Sequence, residues 1–194
     1  MRNTIIDPSD FDRILRASDP DERALWILSA ETGFRIGDLL RIRQWQVPPS
    51  ARSYNRRRDT PVEDSELVLT EAKTGHRRSV KLTARAVDAM RWALNNCPER
   101  HPFKYLFPAR LRSGAVAQQG ERKGGHLHRS TAHRHFAEAV KRAGLQGKGY
   151  TVHSLRKIYA KRRYAETGSL LAVQSDLGHS NISTTLLYVT DLKL

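Results

Sequence analysis

The chain has 194 residues, 39% of them apolar, which suits one domain with a sizeable core. Lysine and arginine outnumber aspartate and glutamate by 34 − 20 = 14, and the excess is spread along the chain. Such a balance points to a polyanionic partner, nucleic acid first. The single cysteine, Cys97, excludes an internal disulfide and a CxxC zinc site. No run approaches the roughly 20 apolar residues of a membrane span. Met1-Arg2-Asn3-Thr4 opens no signal-peptide pattern, so a cytoplasmic protein without a membrane partner is expected.

In chain order, Asp7-Pro8-Ser9-Asp10 opens a helix, with an acceptor cap followed by proline at the first helical position. Phe11, Ile14 and Leu15 give it an apolar stripe that runs on to Ala17. Asp19-Pro20 restarts the pattern, and Ala24, Leu25, Ile27 and Leu28 carry a second helix to Gly33, a C-terminal stop. A short third helix is expected from about Arg35 to Arg41. Residues 47–64 are rich in Pro, Arg and Ser, without periodicity, and read as a loop. Leu67-Val68-Leu69 and Ser79-Val80-Lys81-Leu82 read as two strands around the turn Lys73-Thr74-Gly75-His76. Thr83 caps a helix over 84–95. Phe103 to Phe107 is a short apolar patch, and 109–127, rich in Gly, Gln, Arg and Lys, is expected to be mobile. Ser130 starts a helix that Gly144 stops. Helices over 151–166, 169–177 and 181–189 complete a mainly α chain with one small antiparallel hairpin, an α+β fold, with no internal repeat and no second domain.

Five groups stand out as chemistry: Arg35, Lys73, the His153/Arg156 pair, His179 and Tyr188. Three residues apart on a helix, His153 and Arg156 share one face, one turn apart, behind Thr151 as N-cap. A cation there adds to the field of the helix N-terminus and suits an anion. Taken singly, each group has an ordinary explanation: a surface arginine, a hairpin charge, a helix-end histidine, a half-buried tyrosine with its hydroxyl in water. Together they describe a reaction. Two arginines can clamp the non-bridging oxygens of one phosphate. A tyrosine hydroxyl can attack and form a covalent link, a lysine can protonate a leaving alkoxide, and histidines can hold or move protons. Phosphoryl transfer asks mainly for positioning and charge stabilisation. Neither paired carboxylates for two metals nor a GxxxxGK[ST] loop is present, so no cofactor is expected.

The ordered stretches Thr32-Gly33-Phe34-Arg35-Ile36-Gly37-Asp38-Leu39-Leu40, Lys73-Thr74-Gly75, His153-Ser154-Leu155-Arg156 and Leu177-Gly178-His179, on through Ser180-Asn181-Ile182-Ser183-Thr184-Thr185-Leu186-Leu187 to Tyr188, resemble the catalytic domain of the tyrosine recombinase (phage integrase) family. Order and spacing agree along nearly the whole chain. The resemblance implies that fold for residues 1–194 and a site-specific DNA recombinase or integrase. It implies that Arg35 and Arg156 bind the scissile phosphate and that Asp38 takes the supporting acidic position. Lys73 would be the general acid toward the 5′ oxygen, His153 would act in proton transfer and His179 would donate a hydrogen bond to the phosphate. Tyr188 would attack, leaving a 3′-phosphotyrosyl link and a free 5′ hydroxyl, with no need of ATP. By the same resemblance the start of the 130–143 helix approaches the major groove of double-stranded DNA, with His128, Arg129, Ser130 and Arg134 as contacts.

The chain departs from the family pattern in three places. Lys157 stands where many members have histidine after the second arginine. Almost nothing precedes the first catalytic helix, so the N-terminal core-binding domain that clamps the other side of the DNA is expected to be absent. Only six residues follow Tyr188, so a monomer is expected in isolation and a tetramer only on paired DNA sites. A zinc site from His126, His128, His133 and His135 is not expected: no cysteine joins them, and positions 133 and 135 point to different helix faces. Two other readings carry distinct expectations. A type IB topoisomerase-like enzyme would relax plain plasmid, and a non-catalytic DNA-binding regulator on the same scaffold would not notice the loss of the Tyr188 hydroxyl.

Overall fold

A computed structural model describes residues 4–52, 65–97, 104–109 and 125–189. Helices α1 (Pro8–Ala17), α2 (Pro20–Thr32), α3 (Ile36–Leu39) and the one-turn α4 (Pro49–Arg52) precede strands β1 (Glu66–Thr70) and β2 (Arg77–Lys81). Then come α5 (Ala84–Asn95), α6 (Arg129–Arg142), α7 (Val152–Thr167), α8 (Leu170–Leu177) and α9 (Ile182–Val189). The two strands pair antiparallel, with Leu67 opposite Val80 and Leu69 opposite Arg78. Mainly helical with one antiparallel hairpin, the fold is as expected. Among the described residues no helix is long and apolar enough to cross a membrane.

Helix α2 is the axle. It packs against α5 on one side and α7 on the other, and Leu25, Trp26, Leu28 and Ala30 are all but sealed from solvent. Burying each large apolar side chain contributes about 1.5–3 kcal/mol. A helix buried nearly all round must also pair its acids. Glu31 accepts from Arg162 and from the Thr83 hydroxyl, 2.9 Å away, while Glu22 sits 2.7 Å from His135. Burial raises the Glu22 pKa. On α6, Phe136 meets Trp26 edge-on at 5.1 Å. The stripe Phe11, Ile14 and Leu15 lays α1 beside α6. Tyr150 donates to Asp10 (2.7 Å) and Arg13 to the Ala143 carbonyl (2.7 Å), which tie α1 to the far end of that helix.

Several local expectations are refined. Asp7 and Asp19 occupy N-cap positions, yet neither side chain makes a cap bond; proline at the next position removes one donor that would need it. Within the stretch read as a loop, Pro49 starts the turn of helix α4, proline being preset for a first helical position. Helix α6 begins at Arg129, one residue before Ser130, because the His128 ring accepts from the Ser130 N–H (3.3 Å) in place of a hydroxyl cap. Residues 53–64 of the expected loop and 110–124 of the segment expected to be mobile lie outside the described residues. Of the apolar patch, Phe103 lies outside the described residues; Phe107 and Leu106 are buried, and the Arg43–Tyr105 and Pro108–His126 bridges pin residues 105–108 to their neighbours.

Candidate active site

The site begins where α2 ends. Gly33 adopts φ 65°, a left-handed turn that reverses the chain and delivers Arg35 at the start of α3. A Cβ at Gly33 would lie 2.6 Å from the Tyr159 ring, so glycine is required twice over. Arg35 is partly exposed, its side chain at 24%, and its Nη1 pairs with the fully buried Glu71. Asp38, one turn on, is buried and accepts from the Ala72 N–H at 3.0 Å. This acid therefore fastens the α3 turn to the hairpin turn.

Arg156 comes from α7, whose start is secured by the Thr151 N–H donating to Ser154 Oγ (3.1 Å). Only 2% of Arg156 is exposed. Its Nη2 donates to the Leu177 carbonyl at 3.0 Å, while buried Nε and Nη1 have no hydrogen-bond partner among the described residues. Burial first, then the charge of Arg35, lowers its pKa to about 10. A cation held like this is costly unless something anionic faces it. His153, one turn earlier, lies on the exposed rim with its ring 5.9 Å from that of His133. Loss of water around the ring, then His133 and Arg156, lowers the His153 pKa, so the neutral imidazole prevails at pH 7.

At the other wall, Gly178 closes α8 in the left-handed conformation and hands the chain to His179. The His179 Nδ1 lies 3.1 Å from the Thr185 hydroxyl, which is fully buried. Burial and the charges of Arg156 and Arg35 push its pKa down to about 4. Its ring meets Tyr188 edge-on, centroids 4.8 Å apart. The Lys157 ammonium stands 5.6 Å over the Tyr188 ring, so the residue that departs from the family pattern sits against the tyrosine. Arg156, His179, Tyr188, Arg35 and Lys157 thus converge. Lys73 rides the exposed turn between β1 and β2, the same turn that Asp38 and Glu71 hold. An open cleft of about 440 Å³ separates that turn, at Thr74 and His76, from Gly178 and His179.

Of the four proposed DNA contacts, all are exposed at the start of α6. His128 and Ser130 bond each other (2.7 Å), and Arg134 lies 3.9 Å from Glu138. Arg129 reaches toward the Arg35 turn, its Cδ 3.9 Å from where a Cβ on Gly37 would be. His133 and His135 do face different ways, toward His153 and Glu22.

Two residues of the cluster escaped the sequence reading. Glu71 is fully buried, and Arg78, 5% exposed, donates to the Thr32 carbonyl at 2.5 Å and lies 4.4 Å over the Phe34 ring. Burial lowers the Arg78 pKa. The signal was strand alternation: Leu67 and Leu69 point inward and so does 71, while Val80 points inward and so does 78. An acid and an arginine thereby share the inner face, 3.9 Å apart.

Comparison with known proteins gives a consistent picture. The chain is 31% identical to tyrosine recombinase XerD of Rhizobium meliloti (strain 1021) over 168 residues, covering 85% of this chain and 45% of that protein. The chain therefore spans about half the length of that curated relative. In fold it is similar to XerA recombinase, with a TM-score of 0.70 at 22% identity, covering 96% of this chain and 58% of that one. It is also similar to lambda integrase solved as a tetramer bound to a Holliday junction, with a TM-score of 0.67 at 19% identity, over 98% of this chain and 49% of that one. The profile described as the phage integrase family matches residues 4–193, and on that match, over nearly its full length, the chain belongs to the phage integrase family.

Proposed function

We propose that residues 1–194 are the catalytic domain of a site-specific DNA recombinase that cuts and rejoins strands through Tyr188. The observation that carries this is the buried Arg156 guanidinium, two of its nitrogens without a hydrogen-bond partner among the described residues, beside Arg35 and the His179–Tyr188 pair. Those donors suit the non-bridging oxygens of a phosphodiester. The Tyr188 oxygen attacks phosphorus, the bond from phosphorus to the 5′ oxygen breaks, and Lys73 supplies the proton to that leaving oxygen. The neutral His153 is the acceptor for the tyrosine proton. With the Thr185 hydroxyl donating to Nδ1, His179 carries its own proton on Nε2 and donates it in a hydrogen bond to the phosphate. Asp38 supports the turn that bears Lys73. The 3′-phosphotyrosyl link keeps the phosphodiester energy, so a second 5′ hydroxyl reverses the attack without ATP.

The partner is double-stranded DNA, approached through His128, Arg129, Ser130 and Arg134. The protein works in the cytoplasm on nucleoid DNA, a monomer alone and a tetramer on paired sites. The tetrameric lambda integrase on a Holliday junction supports that assembly by likeness. The test is covalent trapping on nicked DNA carrying candidate sites. A denaturation-resistant DNA–protein band is expected from the native chain and none from Tyr188→Phe; a band of equal strength from both would remove Tyr188 from its role.

A further inference from the structure

Every carboxylate in a protein interior needs a reason, and Glu71 has a solvent exposure of 0%. Its place follows from the strand: after Leu67 and Leu69, position 71 is the next inward step of β1, at the point where the strand gives way to the turn. What it meets there is unusual in number. Oε2 pairs with Arg35 Nη1 and accepts from the Thr74 hydroxyl at 3.1 Å. Oε1 lies 3.9 Å from Arg78 Nη1. Its backbone closes the turn, the N–H donating to the His76 carbonyl (2.9 Å) and the carbonyl accepting from the Gly75 N–H (2.8 Å). The end of α8 packs directly on it: a Cβ on Gly178 would stand 3.4 Å from Oε2.

We infer that Glu71 is a positioning residue for strand cleavage, seating the Arg35 guanidinium and fastening the turn that carries Lys73 at one and the same oxygen. The inference rests on the cleavage reading given above and deepens it. Arg35, Arg78 and Arg156 bring three positive charges to one small region, and Glu71 is an anion that interacts with all three. Like charges this close drive each other toward water. Arg35, partly exposed, is the one free to move there, and Glu71 holds it. Lys73 rides an exposed turn, and Thr74, the next residue, anchors that turn by donating to Glu71. Loss of the carboxylate charge therefore misplaces the phosphate clamp and the acid together. Loss of the Thr74 hydroxyl misplaces the acid alone.

That asymmetry makes the idea testable with a change of leaving group. DNA with sulfur in place of the bridging 5′ oxygen expels a thiolate, which needs no proton, so a misplaced general acid costs nothing on it. The experiment is single-turnover cleavage at saturating DNA, on oxygen and sulfur substrates, for the native chain, Glu71→Gln, Thr74→Val and Tyr188→Phe. Glu71→Gln should cleave oxygen DNA about 10²-fold more slowly, as for a displacement of about 1 Å. On sulfur DNA it should recover only in part, because Arg35 stays displaced. Thr74→Val, on an exposed turn, should lose roughly tenfold on oxygen DNA, the worth of one hydrogen bond, and nothing on sulfur DNA. Its result keeps the test intact even if the buried substitution prevents folding. Native rates for Thr74→Val and for folded Glu71→Gln on oxygen DNA, with Tyr188→Phe inert, would overturn the inference and leave Tyr188 in its role. Equal Thr74→Val defects on both substrates would overturn it too, as the mark of a merely structural contact. Cleavage by Tyr188→Phe at the native rate would bring down both readings together.

Discussion

Replacing Arg156 by methionine should make the protein more stable while ending its cleavage. The side chain is 2% exposed, and its Nε and Nη1 find no hydrogen-bond partner among the described residues. Folding lowers its pKa by more than two units, down to about 10, burial being the first cause and Arg35 the second. At about 1.36 kcal/mol for each pH unit, the folded state disfavours this charge by about 3 kcal/mol. Methionine keeps the apolar stem and drops the charge. What it forfeits is the Nη2 bond to the Leu177 carbonyl at 3.0 Å, about 1 kcal/mol. The difference is a gain of about 2 kcal/mol, or about 4–8 °C in Tm at this chain length. Thermal and urea unfolding at pH 7, in buffer free of phosphate and sulfate, measure it. Added phosphate should then raise the Tm of the native protein, as a ligand of the folded state does, and leave the variant unmoved. Cleavage should fall below detection, since one lost transition-state donor alone costs about 2.7–4 kcal/mol. An Arg156→Met protein that melts below the native one would refute the reasoning, because Arg156 would then be a satisfied structural cation.

Gly33→Ala carries two penalties, the left-handed backbone at about 1–2 kcal/mol and a Cβ 2.6 Å from the Tyr159 ring, worth about 1–3 kcal/mol. A loss of about 2–5 kcal/mol in urea unfolding is expected, and an unchanged midpoint would show that this turn is not as tight as described. The histidines set an acid limb of stability. His179, held at about 4, and His153 and His133, both lowered, have folded pKa values under the ordinary 6.5. As pH falls from about 6.5 the unfolded chain takes up protons first, so stability drops, and for His179 the loss levels off below about 4. His179→Gln should flatten the Tm profile between pH 6.5 and 4; a profile parallel to the native one would contradict the assignment.

Much of this was written in the sequence because it lies in local grammar. Proline at the first turn, Thr83 as a cap and glycine at helix ends placed the elements to within a residue or two. The order of Arg35, Lys73, His153, Arg156, His179 and Tyr188 named the cluster, and the structure brings Arg35, Arg156, His179 and Tyr188 together with Lys73 on the adjoining turn. Glu71 and Arg78 were missed for a physical reason. Charges on a strand are read as solvent-facing by default, and only the alternation of Leu67, Leu69 and Val80 reveals that these two point the other way. The His128 cap was also hidden, since a ring nitrogen substitutes for the usual short oxygen acceptor.

The latch between α1 and the far end of α6 has a consequence for how the chain is made. Arg13 and Asp10 leave the ribosome well before their partners Ala143 and Tyr150, which follow 130 and 140 positions later. At about 5–20 residues per second, that is a wait of roughly 7–28 s. Throughout it Phe11, Ile14 and Leu15 have no α6 to lie against. Nascent α1 is thus a segment for a chaperone to shield, and a pause in translation before codon 143 would prolong its exposure without altering a single contact of the finished protein.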